Sequence, residues 1–136
     1  LGENLTGNAR AIDCTFEPIV RMTTTYIEPG DQTFEQLIAP IQKGYYIKTI
    51  SHGSGMSTFT IAPRLAYEIE NGHLGKPTQI SVITGSVFET LGLIDGLSNE
   101  LTLLSFVTGG CGKMEQQGLP VGFGGPCVRV SEMNVQ

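Results

Sequence analysis

Charge is scarce in this chain. Asp, Glu, Lys and Arg make up 15% of its 136 residues, against roughly 25% in an ordinary soluble domain. Basic residues are the scarcer kind: 8 Lys and Arg face 13 Asp and Glu, for a net charge of −5. With no basic cluster, the sequence lacks the electrostatic footprint of a phosphate-binding surface, which argues against nucleic acid as a partner. Long apolar runs are missing too. None approaches the roughly 20 residues that a membrane helix needs, so no membrane span is expected. Leu1 stands where a Met would begin a complete protein, and no signal peptide precedes it, so a trimmed or partial chain is expected. Cysteine is limited to Cys14, Cys111 and Cys127. An odd number without framework spacing fits a reducing, cytoplasmic compartment, and the default role of each is that of a small buried hydrophobe.

Apolar residues and glycine are what the chain does have. Hydrophobic residues reach 40%, enough for a core, and glycine numbers 18, nearly twice the usual share of about 7%. Pro29-Gly30-Asp31 signals a turn. Thr33 and Gln36 then have capping-box spacing, and Phe34, Leu37, Ile38 and Ile41 form one apolar stripe. The expected helix runs to Lys43 in its last turn with Gly44 as the residue that ends it, kinked at Pro40. Tyr45 to Ile50 reads as a strand and Ser51 to Gly55 as a loop. Two alternating segments follow, around Phe59 and Ile61 and around Leu65, Tyr67 and Ile69. Asn71-Gly72 is a strong hairpin signal, with a returning strand expected over about Thr78 to Thr84. Ser86 and Glu89 suggest a second capping box, opening a short helix with Val87, Leu91 and Ile94 as its stripe and Asp95-Gly96 as its end. Leu101 to Thr108 is apolar on both faces, so cover from two sides is expected. Val128 and Val130 flank Arg129 in a final strand. No repeat, low-complexity tract or interdomain linker is evident. The fold class is α+β and β-rich, a largely antiparallel twisted sheet or barrel-like domain with two short helices.

Chemistry concentrates between Gly109 and Gly125, where glycines recur at 109, 110, 112, 118, 122, 124 and 125. Such density lets backbone turn sharply and approach a ligand or another strand closely. A phosphate cradle does not fit, because Gly112-Lys113 is followed by Met114 rather than Ser or Thr. A nucleophilic thiol at Cys111 would have Lys113 beside it, but it needs a base, and His52 and His73 are the only histidines. As a metal ligand, Cys111 would be one of the three or four that zinc requires. From composition alone, a tight structural loop is the reading that fits the glycines best.

The motifs Arg21-Met22-Thr23 with Tyr26, Pro29-Gly30 and the capped helix resemble the C-terminal domain of the TldD/PmbA family, whose members are also called modulators of DNA gyrase. Phe59, Ala66-Tyr67, Ile69-Glu70-Asn71-Gly72 and Lys76-Pro77 continue the likeness. Cys111-Gly112-Lys113, Gln117, Pro120-Val121-Gly122 and Pro126 carry its most specific part. The resemblance runs from about Gly7 to Val130. It implies a zinc metallopeptidase acting on unfolded or modified peptides. Two zinc-binding histidines would come from an H-E-x-x-x-H helix in an N-terminal domain, and the third ligand would be Cys111, within the loop of Gly110, Gly112 and Lys113. The chain would then be the C-terminal segment of a C-terminal domain, inactive alone, working with the rest of its own chain in a homodimer or heterodimer. The PmbA branch lacks the cysteine, so Cys111 places the chain nearer the TldD branch. The alternative is a non-catalytic PmbA-like partner or scaffold subunit. A more distant rival is a thiol hydrolase pairing Cys111 with His52. The sequence departs from the family at Thr24, where Asn is usual, and in a cysteine loop about one residue longer than the common form. His52 and His73 are expected to be solvated, and Cys14 and Cys127 to be structural.

Overall fold

The strongest local signal, Asn71-Gly72, organises the largest sheet. In the computed structural model, which describes residues 2, 4, 6–105 and 110–136, Asn71 and Gly72 take φ of 49° and 78°, the left-handed pair that a tight hairpin turn demands. In chain order the elements are β1 (Ala9–Arg10), β2 (Ile19–Val20), β3 (Thr25–Tyr26), α1 (Phe34–Ile38), β4 (Lys43–Gly55), β5 (Thr58–Glu70), β6 (His73–Thr78), β7 (Ile83–Ser86), α2 (Val87–Gly92) and β8 (Ile94–Leu97). They continue with β9 (Thr102–Ser105), β10 (Cys111–Lys113), β11 (Gln116–Leu119), β12 (Gly122–Gly125), β13 (Val128–Val130) and β14 (Asn134–Val135). They fall into two interleaved units. The first comprises residues 1–28 and 101–126, and the second residues 29–100 and 127–136. The α+β, β-rich class holds. Among the described residues the sheets are open and mostly antiparallel, and no barrel closes.

In the second unit, β5 is the spine. It pairs with β4 along one edge and with β7 and then β6 along the other, and β14 extends the sheet beyond β7. Ala66, Ile80 and Ile83 form its buried cluster, with Ile47, Ile61 and Met133 packed against it. Burying each such aliphatic side chain stabilises the fold by about 1.5–3 kcal/mol. The turn docks on the end of α1. Gly72 N donates to Ile41 O at 2.8 Å, Asn71 N donates to Gln42 O at 2.9 Å, and a Cβ at position 72 would lie 2.6 Å from Ala39 O. Glycine is thus required there by both conformation and space.

The Thr33–Gln36 capping box is formed on both sides. The helix is shorter than its stripe, ending at Ile38 with Ala39 as C-cap. Pro40 has no N–H to continue the ladder, so Lys43 and Gly44 belong to β4. The predicted loop Ser51–Gly55 is also strand. Its polar side chains are exposed, so alternation gave no sign of it, yet after register shifts between Ile47 and His52 the backbone pairs with β5 through Gly55–Phe59. The two alternating segments are one strand, β5. The returning strand begins directly after the turn, at His73, and residues 79–82 connect it to β7.

The second capping box does not form. Ser86 makes no side-chain cap bond, and its backbone closes the ladder opposite Thr58. α2 buries none of its residues, Phe88 is 79% exposed, and Ile94, Asp95 and Gly96 fall in β8. The strand expected from Leu101 spans Thr102–Ser105 here. It is exposed rather than covered on two sides, with Leu103 at 51% and Leu104 at 53%. Phe106, Val107 and Thr108 lie outside the described residues. β13 is as expected, but β14 follows it.

The contrast between the two caps is measurable. Thr33→Ala should lower unfolding free energy by about 1 kcal/mol in urea titration, whereas Ser86→Ala should change it by less than about 0.5 kcal/mol.

Candidate metal centre

The first unit is built from strands too short to satisfy one another, and polar side chains complete their hydrogen bonding. β1 pairs with β2, β10 with β11, and β12 lies between β3 (parallel) and β9 (antiparallel). Gly109 lies outside the described residues. Gly110 has φ of 125°, and a Cβ there would run into the carbonyl of Leu119, so the approach to the cysteine strand demands glycine. β10 and β11 form a hairpin around Met114-Glu115, with Cys111 opposite Leu119 and Lys113 opposite Gln116. Two residues advance on one strand and three on the other. This bulge brings Gly118 to φ 79° and re-aims the side chains beside it. At Gly112 a Cβ would collide with the side chain of Gln117, whose Nε2 donates to Met114 O at 2.7 Å.

Two side chains pin this hairpin. Arg21, 4% exposed, donates through Nη2 to the carbonyl of Cys111 at 2.6 Å. Lys113 donates through Nζ to the carbonyl of Val20 at 2.8 Å. The bonds run in opposite directions between neighbouring positions of the same two segments. The Lys113 ammonium is therefore a structural anchor. Gln116, 1% exposed, accepts from Ile12 N at 3.0 Å through Oε1 and donates from Nε2 to Glu17 O at 2.9 Å, holding the connection between β1 and β2. Neither Arg21 nor Gln116 stood out as a contact residue in the sequence.

Cys111 is half-buried, and its Sγ lies 4.0 Å from Gly112 O. A thiolate on a pinned strand is a suitable soft donor for zinc. No three of His, Cys, Asp and Glu gather into a metal-holding cluster among the described residues. His52 in β4 and His73 in β6 belong to the other unit and are exposed. Cys14 is exposed, contrary to the expectation of a buried structural residue. It sits in a turn where Asp13 Oδ1 accepts from Thr15 Oγ1 at 2.6 Å and Thr15 N at 2.8 Å, bonds that hold the Asp13 carboxyl below its ordinary range. Cys127 is half-buried. Its N–H donates to Ser98 Oγ and its carbonyl accepts from Ser98 N. Burial, with Cys127 and Tyr67 beside it, pushes the Tyr46 phenol up.

Residues 1–136 match the family described as the PmbA/TldA metallopeptidase C-terminal domain. A metalloprotease of Synechocystis is 37% identical over 136 residues, 99% of this chain and 29% of that protein. A zinc metalloprotease TldD homolog of Saccharolobus solfataricus is 34% identical over 137 residues, 99% of this chain and 30% of its own length. The chain thus spans less than a third of these relatives. Among solved structures, TldE from Thermococcus kodakarensis superposes with a TM-score of 0.75 at 20% identity, covering 98% of this chain and 28% of that one, a likeness of fold.

The buried amide of Gln116 is directly testable. Gln116→Leu strands the N–H of Ile12 and the carbonyl of Glu17, each costing about 1–3 kcal/mol when left unsatisfied. Urea denaturation should show a stability loss of that order.

Proposed function

The chain belongs to the PmbA/TldD metallopeptidase family, and from this we propose that it is the C-terminal part of a zinc-dependent peptidase, to which Cys111 supplies one metal ligand. The observation that carries the reading is the pinned position of Cys111. A lone cysteine in a loose loop would lose conformational freedom on binding metal, whereas here Arg21 and Lys113 already hold its strand. The remaining ligands and the general base would come from outside these residues. A zinc ion held by Cys111 and these outside ligands would supply Lewis-acid chemistry, polarising a peptide carbonyl and acidifying water toward a pKa of about 7. The chain's own task is to orient the thiolate and keep its strand from shifting.

Unfolded or modified peptides are the proposed substrates. Among the described residues three edge strands suit them: β4, terminal in its sheet, and β3 and β9 on either side of β12. An extended peptide added to such an edge is held through its backbone with little demand on its sequence. The exposed apolar strand β9 supports a further part of the proposal, that this segment packs against the rest of its own protein and against a second TldD/PmbA-type subunit. No helix among the described residues is long and apolar enough to cross a membrane, and the cysteine content supports a cytoplasmic location.

In the full-length protein, Cys111→Ser should reduce bound zinc by about tenfold or more and abolish peptide hydrolysis while leaving the circular dichroism spectrum unchanged. Metal analysis decides it. Unchanged zinc content in the variant, or no zinc in the native protein, overturns the assignment and leaves the non-catalytic partner subunit as the reading.

A further inference from the structure

Within the first unit, Arg10, Thr23, Thr24, Ser105, Pro120 and Gly122 line a pocket of about 250 Å³. Its position follows from the hairpin. Pro120 directly succeeds Leu119, the register partner of Cys111, and register partners in an antiparallel pair stand only about 5 Å apart at Cα. The pocket therefore opens beside the strand that carries the candidate metal ligand. Gly122 leaves room in its wall, since a Cβ there would lie 2.7 Å from the hydroxyl of Thr24.

The charge in this region is unbalanced. Arg10 donates through Nη2 to Met22 O, which fixes the guanidinium, but its buried Nε has no hydrogen-bond partner among the described residues. Arg21 lies behind the Cys111 strand with Nε and Nη1 in the same condition. Among the described residues the only ion pair is Arg129 with Asp95, at 2.7 Å, and no described carboxylate pairs with Arg10 or Arg21. Arg21 is buried, and a buried guanidinium with unbonded N–H groups is costly unless an anion completes it; Arg10 is half-buried and lines the pocket itself. Planar forked donors match a carboxylate in particular, and the threonine and serine hydroxyls on the pocket wall can donate to the same group.

We propose that this pocket is a carboxylate subsite for the peptide substrate, with Arg10 as the residue that receives the carboxylate. The inference rests on the peptidase reading for its ligand. It adds a substrate class to that reading: peptides bearing a carboxylate, terminal or side-chain, positioned a short distance from the bond presented at Cys111. The pocket is too small for a folded partner and admits one planar group with its adjoining carbons.

Binding tests it without relying on turnover. Three fluorescein-labelled alanine-leucine peptides are titrated against the full-length protein, with a chelator present to stop hydrolysis. One has a free C-terminal carboxylate, one a C-terminal amide, and one a C-terminal amide with a central Glu. The free carboxylate should bind about tenfold more tightly than the plain amide. Arg10→Gln should erase the difference, and Arg10→Lys, which keeps the charge but loses the fork, should restore part of it. If the Glu peptide matches the free carboxylate, a side chain also serves as the source. If it matches the plain amide, the C-terminus alone does. Equal binding of all three to the native protein, no measurable binding of any, or a difference that survives Arg10→Gln overturns the subsite. Failure of the protein to hydrolyse peptides without chelator bears on the peptidase reading alone.

Discussion

A reciprocal tie between two backbone segments governs the candidate site. Arg21 reaches the carbonyl of Cys111, and Lys113 reaches back to the carbonyl of Val20. Strands of two to four residues cannot supply each other with enough ladder bonds, so long cationic side chains act as cross-braces and Gln116 as a third. Once these are made, the glycines around Cys111 have little freedom left. Gly110 is there because its φ is positive and the Leu119 carbonyl passes too close for a Cβ. The glycine density thus serves close packing around the cysteine, and the rigidity comes from charged side chains anchored on carbonyls.

The parts of the fold that were legible in sequence are those decided within a few residues. Asn71-Gly72 forms its turn because no other pair takes those dihedrals as readily. Thr33 and Gln36 form their box because both partners lie within one turn. What was not legible depended on distant neighbours. Ser51 to Gly55 became strand because β5 offered a ladder, although its side chains have nothing to bury. Ser86 lost its capping role because Thr58 had already engaged its backbone. At the site, Cys111 and its glycines were visible as a cluster, and the family likeness gave the cysteine a chemical meaning. Arg21 and Gln116 were not visible as braces, because their partners at Cys111, Ile12 and Glu17 are 90, 104 and 99 residues away.

Low charge also has a structural counterpart. Between Pro77 and Cys127 the only charged residues are Glu89, Asp95, Glu100, Lys113 and Glu115. The same stretch presents Phe88, Leu91, Leu103 and Leu104 to solvent in this chain. Such a surface is ill suited to solvent, and it accords with relatives more than three times the length of this segment and with a proposed role inside a larger assembly.

The interleaving of the two units bears on how the chain reaches its structure. The second unit is nearly contiguous, and its spine is a local hairpin whose contacts form early and at small entropic cost. The first unit is split by it. β3 cannot find β12 until Phe123 and Gly124 exist to meet Thr25 and Tyr26, nearly a hundred residues later. During synthesis, residues 6–28 therefore wait, with buried-to-be Arg21 still hydrated, while the hairpins of β4, β5 and β6 can already form. The hairpin that carries Cys111 is then braced later than the sheet strands β4 to β6, and a nascent chain would hold that part of its scaffold before the ties of Arg21 and Lys113 can close.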